Sequence, residues 1–218
     1  MFRKLSLLLL FAILGGCSTY GKVIIIKDDF KKSHVVTMKM RQISKEGIGD
    51  TWVRYETIFD FSREIGETKT NSTVARFRVI ADANSYPLER SGFVRIGTKD
   101  STLVLGNLDA QAITTYNTDV TTTTTTKSNS SGLSSSTSSF GKNQSTETKT
   151  SMNTSSRTHK ELTGTFLLTK EQESEILNSK YFAVRLYSGA LPITIPFAED
   201  DLENLKRFLR AKPGMEQE

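Results

Sequence analysis

The side chains that most often carry enzymatic chemistry are scarce in this chain of 218 residues. Its two histidines, His34 and His159, lie far apart, so no His/Cys cluster with the spacing of a metal site is present. The sequence also lacks a Gly-x-Ser-x-Gly nucleophile elbow, a glycine-rich phosphate loop and a dinucleotide fingerprint. We therefore expect no catalytic site, no metal site and no cofactor.

Paired carboxylates could support hydrolysis by acid–base catalysis, and two groups of them deserve consideration. Asp60 and Glu64 share one face of a predicted strand, while Arg76 and Arg78 share a face of the next, which favours cross-strand ion pairs. Glu199-Asp200-Asp201 stands at the start of a predicted helix, where negative charge is favoured without a catalytic role. A carboxylate-dependent hydrolase is therefore the weaker alternative, and we expect a protein that is not an enzyme.

Arginines recur at predicted strand positions and could bind anions together. On one sheet face they would form a basic strip able to contact phosphates of lipid head groups, lipopolysaccharide or sulfated glycans. The alternative is a solvated face on which carboxylates neutralise the arginines. The five candidates are Arg54, Arg76, Arg78, Arg95 and Arg185.

The first seventeen residues form a separate pattern. Two basic residues precede an apolar run from Leu5 to Leu14 that is too short to span a bilayer but is typical of a secretory signal. The run ends in Leu14-Gly15-Gly16-Cys17, which contains the only cysteine of the chain and resembles the bacterial lipobox. The resemblance implies a bacterial lipoprotein, in which residues 1–16 are a signal peptide that is removed and Cys17 carries fatty acyl chains such as palmitate.

The lipoprotein resemblance also implies a location and a set of partners. Enteric bacteria place Asp after the lipidated cysteine to keep a lipoprotein in the inner membrane, whereas this chain has Ser18, so we expect the outer membrane of a cell envelope. Loss of the leader removes two cations, which leaves 27 Lys+Arg (29 − 2) against 24 Asp+Glu and lowers the net charge from +5 to +3. So small a net positive charge does not favour nucleic acid as a binding partner. The expected partners are the membrane through acylated Cys17, an envelope protein, or an anionic glycan or lipid.

Alternating apolar and polar residues predict a largely antiparallel β-sheet of seven to nine strands, most clearly within Trp52–Ile65 and Val74–Ala81. Two later segments, Phe93–Leu105 and Phe182–Ile195, each predict a hairpin. Their similar spacing, about ninety residues apart, favours either an internal duplication or two ordinary hairpins in one sheet.

Two C-terminal helices complete a predicted α+β fold. Thr169 and Gln172 fit a capping box at the start of a helix that ends near Ser179. Asp200 and Glu203 fit a second capping pair for a helix that continues to about Ala211. The apolar residues of this last helix share one face at helical spacing and are Leu202, Leu205, Phe208 and Leu209.

Residues 118–158 are unlike the rest, since 25 of these 41 residues are Ser or Thr. Such a composition cannot bury enough apolar surface to form a core, so we expect a flexible insert or a long, poorly anchored hairpin. Glycosylation, adhesion and a role in a pore or envelope-assembly complex are alternatives, although the apolar residues are too few for a lipid-facing band.

The predicted organisation is a signal peptide (1–16), a lipidated tether (17–22), a single domain (23–117 and 159–212), the Ser/Thr-rich insert (118–158) and a tail (213–218).

Overall fold

The computed structural model describes residues 19–48, 51–128 and 144–214, so Cys17 and the predicted signal peptide lie outside the described residues. The chain divides into two compact units. The first contains the residues up to Ala112 and from His159 onward, and the second is Ile113–Thr158. The single domain predicted over 23–117 and 159–212 stays a prediction; the second unit begins at Ile113, five residues before the predicted insert.

The described chain is a mostly β, α+β fold, as the sequence predicts, with antiparallel pairing at every strand pair of defined register. Its strands are β1 (Val23–Asp28), β2 (Ser33–Ile48), β3 (Thr51–Ile65), β4 (Thr73–Asp82), β5 (Ser91–Ile96), β6 (Lys99–Val104), β7 (Gly106–Ser128), β8 (Gln144–Leu168), β9 (Phe182–Ser188) and β10 (Leu191–Phe197). Its helices are α1 (Lys170–Asn178) and α2 (Glu199–Arg210).

The strands form two sheets, so the prediction of one sheet with seven to nine strands is wrong. One sheet has six strands in the order β1-β2-β3-β4-β8-β7, and the other has four in the order β10-β9-β5-β6. Both predicted hairpins are confirmed, as β5–β6 and β9–β10, and they meet where Val94 pairs with Val184. An internal duplication stays a hypothesis. Local alternation cannot assign strands to sheets, because it reports only which side of each strand is buried.

The inner faces of both sheets pack into one aromatic core. Phe59 and Phe61 of β3 have ring centroids 5.4 Å and 6.3 Å from that of Phe197 on β10. Phe197 in turn lies 4.7 Å from Phe182 of β9, and Phe208 of α2 lies 6.0 Å from Phe61. Because the buried side of each sheet faces this shared core, each sheet also has an outer face on the opposite side.

The start of α1 is predicted correctly and the start of α2 is not. Thr169 Oγ1 accepts a hydrogen bond from Gln172 N, and Gln172 Oε1 accepts one from Thr169 N, which confirms the capping box. In α2 the Leu202 N–H already donates to Ala198 O, so the helix begins one residue before Asp200. Asp200 therefore lies inside the first turn and is not a cap. The predicted apolar face of α2 is confirmed, because its side chains are buried.

None of the helices that the structure describes is long and apolar enough to cross a membrane.

A buried arginine connects β3 to the end of α2. Arg63 is only 6% exposed, and its guanidinium donates to the carbonyl oxygens of Leu209 at 2.8 Å, Ala211 at 3.0 Å and Phe208 at 3.2 Å. Phe208 and Leu209 lie in the last turn of α2, and Ala211 is its C-cap, whose N–H donates to Phe208 O at 3.2 Å. A cation placed at this end of the helix is favoured by hydrogen bonding to its carbonyls and by the helix dipole. The guanidinium carbon also lies 5.5 Å from the centre of the Phe208 ring.

The same arginine approaches a buried carboxylate of α1. Glu173 Oε2 lies 3.9 Å from Arg63 Nη1 and accepts a hydrogen bond from Lys170 Nζ at 2.9 Å. Glu173 Oε1 accepts from the Thr73 N–H at the start of β4 at 2.8 Å. Burial lowers the pKa of Arg63, while the charge of Glu173 acts in the opposite direction. Both helices and two strands therefore meet at one buried polar junction.

The unit Ile113–Thr158 contains the neighbouring ends of β7 and β8. The hydroxyl oxygens of Thr114 and Thr158 lie 3.0 Å apart, and those of Thr118 and Thr154 lie 3.4 Å apart. The described part of this unit therefore agrees with the predicted alternative of a long hairpin, and not with an insert that lacks secondary structure. Branching at Cβ favours extended backbone in threonine, so strands form although almost every described side chain of this unit is exposed.

We predict that Arg63→Met lowers the free energy of unfolding by about 3–5 kcal/mol, because it removes one member of a buried ion pair and leaves carbonyls of α2 without their donor. Urea denaturation followed by circular dichroism measures the loss. The matched control is Arg78→Met, which removes an arginine that is half exposed and lies 3.5 Å from Glu161. We expect it to cost less than about 1 kcal/mol. Equal losses in the two variants would contradict a special role for the buried arginine.

Candidate functional site

The two sheets separate the five arginines that were predicted to form one strip. Arg54 on β3 and Arg76 and Arg78 on β4 are exposed on the outer face of the six-stranded sheet. Arg95 on β5 and Arg185 on β9 are exposed on the outer face of the four-stranded sheet. Because both inner faces bury the same core, the outer faces point away from each other. The prediction that all five form a single strip is therefore wrong, although the exposure of each arginine agrees with the strand alternation.

The outer face of the six-stranded sheet balances cations against carboxylates. Its ion pairs between neighbouring strands are Lys39–Asp60 at 3.5 Å, Arg41–Glu56 at 2.7 Å and Arg78–Glu161 at 3.5 Å. The hydrogen bond from Arg41 is the largest cause that lowers the pKa of Glu56. For these side chains the structure agrees with the alternative of a solvated face with carboxylate neighbours.

The carboxylates considered for acid–base chemistry do not converge. Asp60 and Glu64 lie four residues apart on one side of β3, roughly 13 Å at the rise of an extended strand. Asp60 faces Lys39, and Glu64 accepts a hydrogen bond from Ser33 Oγ at 2.8 Å. Glu199-Asp200-Asp201 forms the first turn of α2. Within the described ranges, no three His, Cys, Asp or Glu side chains are grouped closely enough to hold a metal ion.

The outer face of the four-stranded sheet carries a different arrangement, which we call the arginine–aromatic face. Strand alternation produces it, because Val94 and Ile96 of β5 and Val184 and Leu186 of β9 point into the core and their neighbours point outward. A shallow depression of about 230 Å³ lies on this face. The side chains that define the face are Phe93, Arg95, Asp100, Tyr181, Arg185, Tyr187 and Thr194.

Arg185 occupies the middle of the face with one end fixed. It lies directly between Phe93 on β5 and Thr194 on β10, and its Nε–H donates to Thr194 Oγ1 at 2.9 Å. Among the described residues, its two terminal nitrogens have no hydrogen-bond or ion-pair partner. The rings of Phe93 and Tyr187 meet edge to face beside it, with centroids 6.1 Å apart and an interplanar angle of 80°. A positioned guanidinium with free donors therefore adjoins two aromatic rings.

Arg95 differs from Arg185, because its guanidinium is paired with a carboxylate. Its Nε and Nη2 donate to the two oxygens of Asp100 at 2.7 Å and 2.8 Å. This bidentate contact is the largest cause that lowers the pKa of Asp100 and raises the pKa of Arg95. Asp100 thus neutralises Arg95 at neutral pH, and Arg185 is the cation that the face offers to an anion.

Reasoning from the sequence missed the aromatic members of this face. The sequence predicts Phe93 only as the first residue of a hairpin, and the structure shows it to be 40% exposed. A signal was present, because Phe93 precedes Arg95 by two residues and Tyr187 follows Arg185 by two. Residues two apart on a strand lie on one side, so the exposed arginines indicate exposed rings beside them. Which ring meets which arginine depends on the pairing of β5 with β9, which no local pattern reveals.

Comparison of the chain with protein-family models, curated proteins and solved structures gives no match. The chemistry inferred for this site therefore rests on its own residues.

We predict that Arg185→Gln weakens binding of a heparin fragment, used as a sulfated glycan probe, by about tenfold or more. A charge-assisted hydrogen bond contributes about 1.5–3 kcal/mol, and 1.4 kcal/mol corresponds to a tenfold change. Isothermal titration calorimetry at constant salt provides the measurement. Arg54→Gln is the control, since it removes an exposed arginine from the other sheet and should leave the affinity unchanged. Equal weakening by both substitutions would show that only net charge matters.

We also predict that Asp100→Asn strengthens binding of the same probe several-fold, because it removes a negative charge and releases Arg95. In the parent protein the hydrogen bond from Arg95 lowers the pKa of Asp100 below its ordinary value, so its carboxylate stays ionised in neutral and mildly acidic solution. The pair should therefore persist as the pH falls from 7 to 5, and its contribution to the affinity should stay constant over that window. Weaker binding by Asp100→Asn would mean that Arg95 needs its partner in order to bind.

Proposed function

We propose that this chain is a lipid-anchored protein of the bacterial cell envelope that binds anionic groups through the arginine–aromatic face and catalyses no reaction. The observation that supports binding is the arrangement of Arg185, whose Nε is fixed by Thr194 while its terminal nitrogens stay free beside Phe93 and Tyr187. The observation that supports anchoring is Leu14-Gly15-Gly16-Cys17, which resembles a lipobox and precedes the first strand by a short tether.

The ligand chemistry follows from the groups on the face. A guanidinium accepts a carboxylate, sulfate or phosphate through two parallel hydrogen bonds. The neighbouring rings offer apolar surface to one face of a sugar or another ring, which a lone surface arginine does not. We therefore propose an anionic glycan, or a lipid head group that carries the same chemistry, as the ligand.

The size of the depression favours binding over catalysis. Its volume of about 230 Å³ lies below the range of about 300–1,000 Å³ that is typical of pockets enclosing a drug-sized ligand. An open surface of this kind holds one ring-sized group and leaves the rest of a polymer or lipid in water. Enzymes usually expel water from the reacting centre, and the one carboxylate on this face, Asp100, is engaged by Arg95. These features support a binding role.

Acylation of Cys17 determines the predicted location. We expect the parent protein to incorporate labelled palmitate in a bacterial host and to sediment with membranes, and Cys17→Ser to lose both properties. Ser18→Asp should move the protein from the outer to the inner membrane of an enteric host, while Ser18→Ala should not. Membrane fractions separated on a sucrose gradient provide the measurement. Full membrane retention of Cys17→Ser, or an unlabelled parent, would refute the anchor.

A further inference from the structure

The first described residues carry an apolar surface that no described element covers. Phe30 is fully exposed, and Ile24 and Ile26 are 47% and 55% exposed. Tyr20, just before β1, is also more than one-third exposed. A single exposed apolar side chain is ordinary, but here four of them fall within eleven residues. We call these four residues the β1 surface.

The backbone holds the β1 surface outward. β1 is an edge strand of the six-stranded sheet, and Val23 and Ile25 turn toward the core while Ile24 and Ile26 turn to the outer face. In the turn that follows, Asp28 Oδ1 accepts hydrogen bonds from the N–H groups of Phe30 and Lys31, each at 3.1 Å. This local bonding holds Phe30 at the tip of the β1–β2 turn.

The surroundings of the β1 surface are cationic. Residues 19–32 contain four lysines and two aspartates, a net charge of +2 (4 − 2). Asp29 pairs with Lys27 at 2.6 Å, and Lys31 lies 3.8 Å from Glu64 of β3, which leaves Lys22 and Lys32 as the lysines of this segment without an ion pair among the described residues. Exposed Tyr, Phe and Ile side chains flanked by lysines are the composition that binds at the interface of an anionic bilayer, where rings and aliphatic groups enter the acyl boundary and cations meet head groups. Charge and apolarity thus favour lipid as the partner.

The covalent path from the predicted anchor limits where this surface can be. Val23 is six positions after Cys17, so the start of β1 lies at most about 22 Å along the chain from the acylated residue. β1 adds roughly 20 Å before the Phe30 turn. A tether this short keeps the β1 surface at high effective concentration beside the bilayer. With β1 parallel to the membrane, the acyl chains and Phe30 reach the same lipid layer.

We propose that the β1 surface lies on the anionic lipid bilayer that holds Cys17, with Phe30, Ile24 and Ile26 at the boundary between head groups and acyl chains. This inference rests on the proposed lipid anchor and adds an orientation to it. Ile24 and Ile26 belong to the outer face of the six-stranded sheet, as do Arg54 and Arg76, which then turn toward anionic head groups. The arginine–aromatic face, on the opposite side of the core, then points away from the bilayer and stays open to ligands.

The test places a fluorescent reporter in the lipidated, signal-processed protein. Trp52, the only tryptophan, is replaced by Phe, and tryptophan is introduced by Phe30→Trp or, as a matched control, by Val104→Trp. Val104 is 82% exposed on the edge strand β6 of the other sheet. Each protein is reconstituted into vesicles of phosphatidylethanolamine and phosphatidylglycerol that contain lipids brominated near the head group, and tryptophan emission is recorded.

We expect blue-shifted emission and loss of most of the intensity for Phe30→Trp, and water-like, unquenched emission for Val104→Trp. Ile26→Trp should behave like Phe30→Trp. Replacing phosphatidylglycerol by phosphatidylcholine, or introducing Lys31→Glu with Lys32→Glu, should reduce the quenching.

Palmitate incorporation and flotation with the vesicles are measured first, so that failure of the anchor is recognised separately. A protein that is acylated and floats, but whose Phe30→Trp emission matches that of Val104→Trp, would overturn the membrane contact and leave the proposed anchor intact. A protein that is neither acylated nor floats would refute the proposed function, and the membrane contact with it.

Discussion

The burial of Arg63 is the constraint on which the arrangement of sheets and helices depends. Taking a guanidinium out of water costs several kcal/mol unless hydrogen bonds and an opposite charge offset the loss. Two carbonyls of the last turn of α2, that of its C-cap Ala211 and the carboxylate of Glu173 provide that compensation at distances of 2.8–3.9 Å. Because these groups come from both helices, Arg63 is well placed only when α1 and α2 lie together at the edge of the core. Apolar contacts such as Phe61 with Phe208 are less directional and would tolerate other positions of the helix.

That packing determines what the surface offers. With the inner faces of both sheets used for the core, the remaining exposed faces are two, and they differ in chemistry. The six-stranded sheet presents ion-paired cations with apolar residues at its β1 edge, whereas the four-stranded sheet presents Arg185 beside two aromatic rings. We therefore propose that the outer face of the six-stranded sheet contacts the membrane and that of the four-stranded sheet binds the ligand. This arrangement needs no moving part and no catalytic group.

Local patterns in the sequence predicted the parts of the fold that depend on neighbouring residues. Alternation identified both hairpins, and the Thr169 capping box identified the start of α1, because each depends on contacts a few residues apart. Arg63 shows why the rest was not predictable. Its position places it on the same side of β3 as Phe59 and Phe61, but a charged side chain suggests exposure, and its partners lie over one hundred residues away. The correct expectation required knowledge of where the end of α2 would be.

The candidate site was predictable in composition and not in arrangement. The sequence identified Arg95 and Arg185 as exposed strand residues, yet it grouped them with Arg54, Arg76 and Arg78 on one face. Pairing of β5 with β9 separates them from the other three, and such long-range pairing has no local signal. The same pairing places Phe93 opposite Arg185. Asp100 was not recognised as the partner of Arg95, although the short turn between β5 and β6 brings the two together.

The claim that an anionic glycan binds at the arginine–aromatic face, and not at the outer face of the six-stranded sheet, can be tested directly through the arginine side chains. Titration of the lipidated protein in micelles with a heparin fragment, followed by NMR of arginine Nε–H resonances assigned by Arg→Lys substitution, reports each arginine separately. We expect the Arg185 resonance to shift in a saturable manner while those of Arg54, Arg76 and Arg78 remain unchanged. Shifts of the three arginines on the six-stranded sheet, with Arg185 unaffected, would contradict the proposed site.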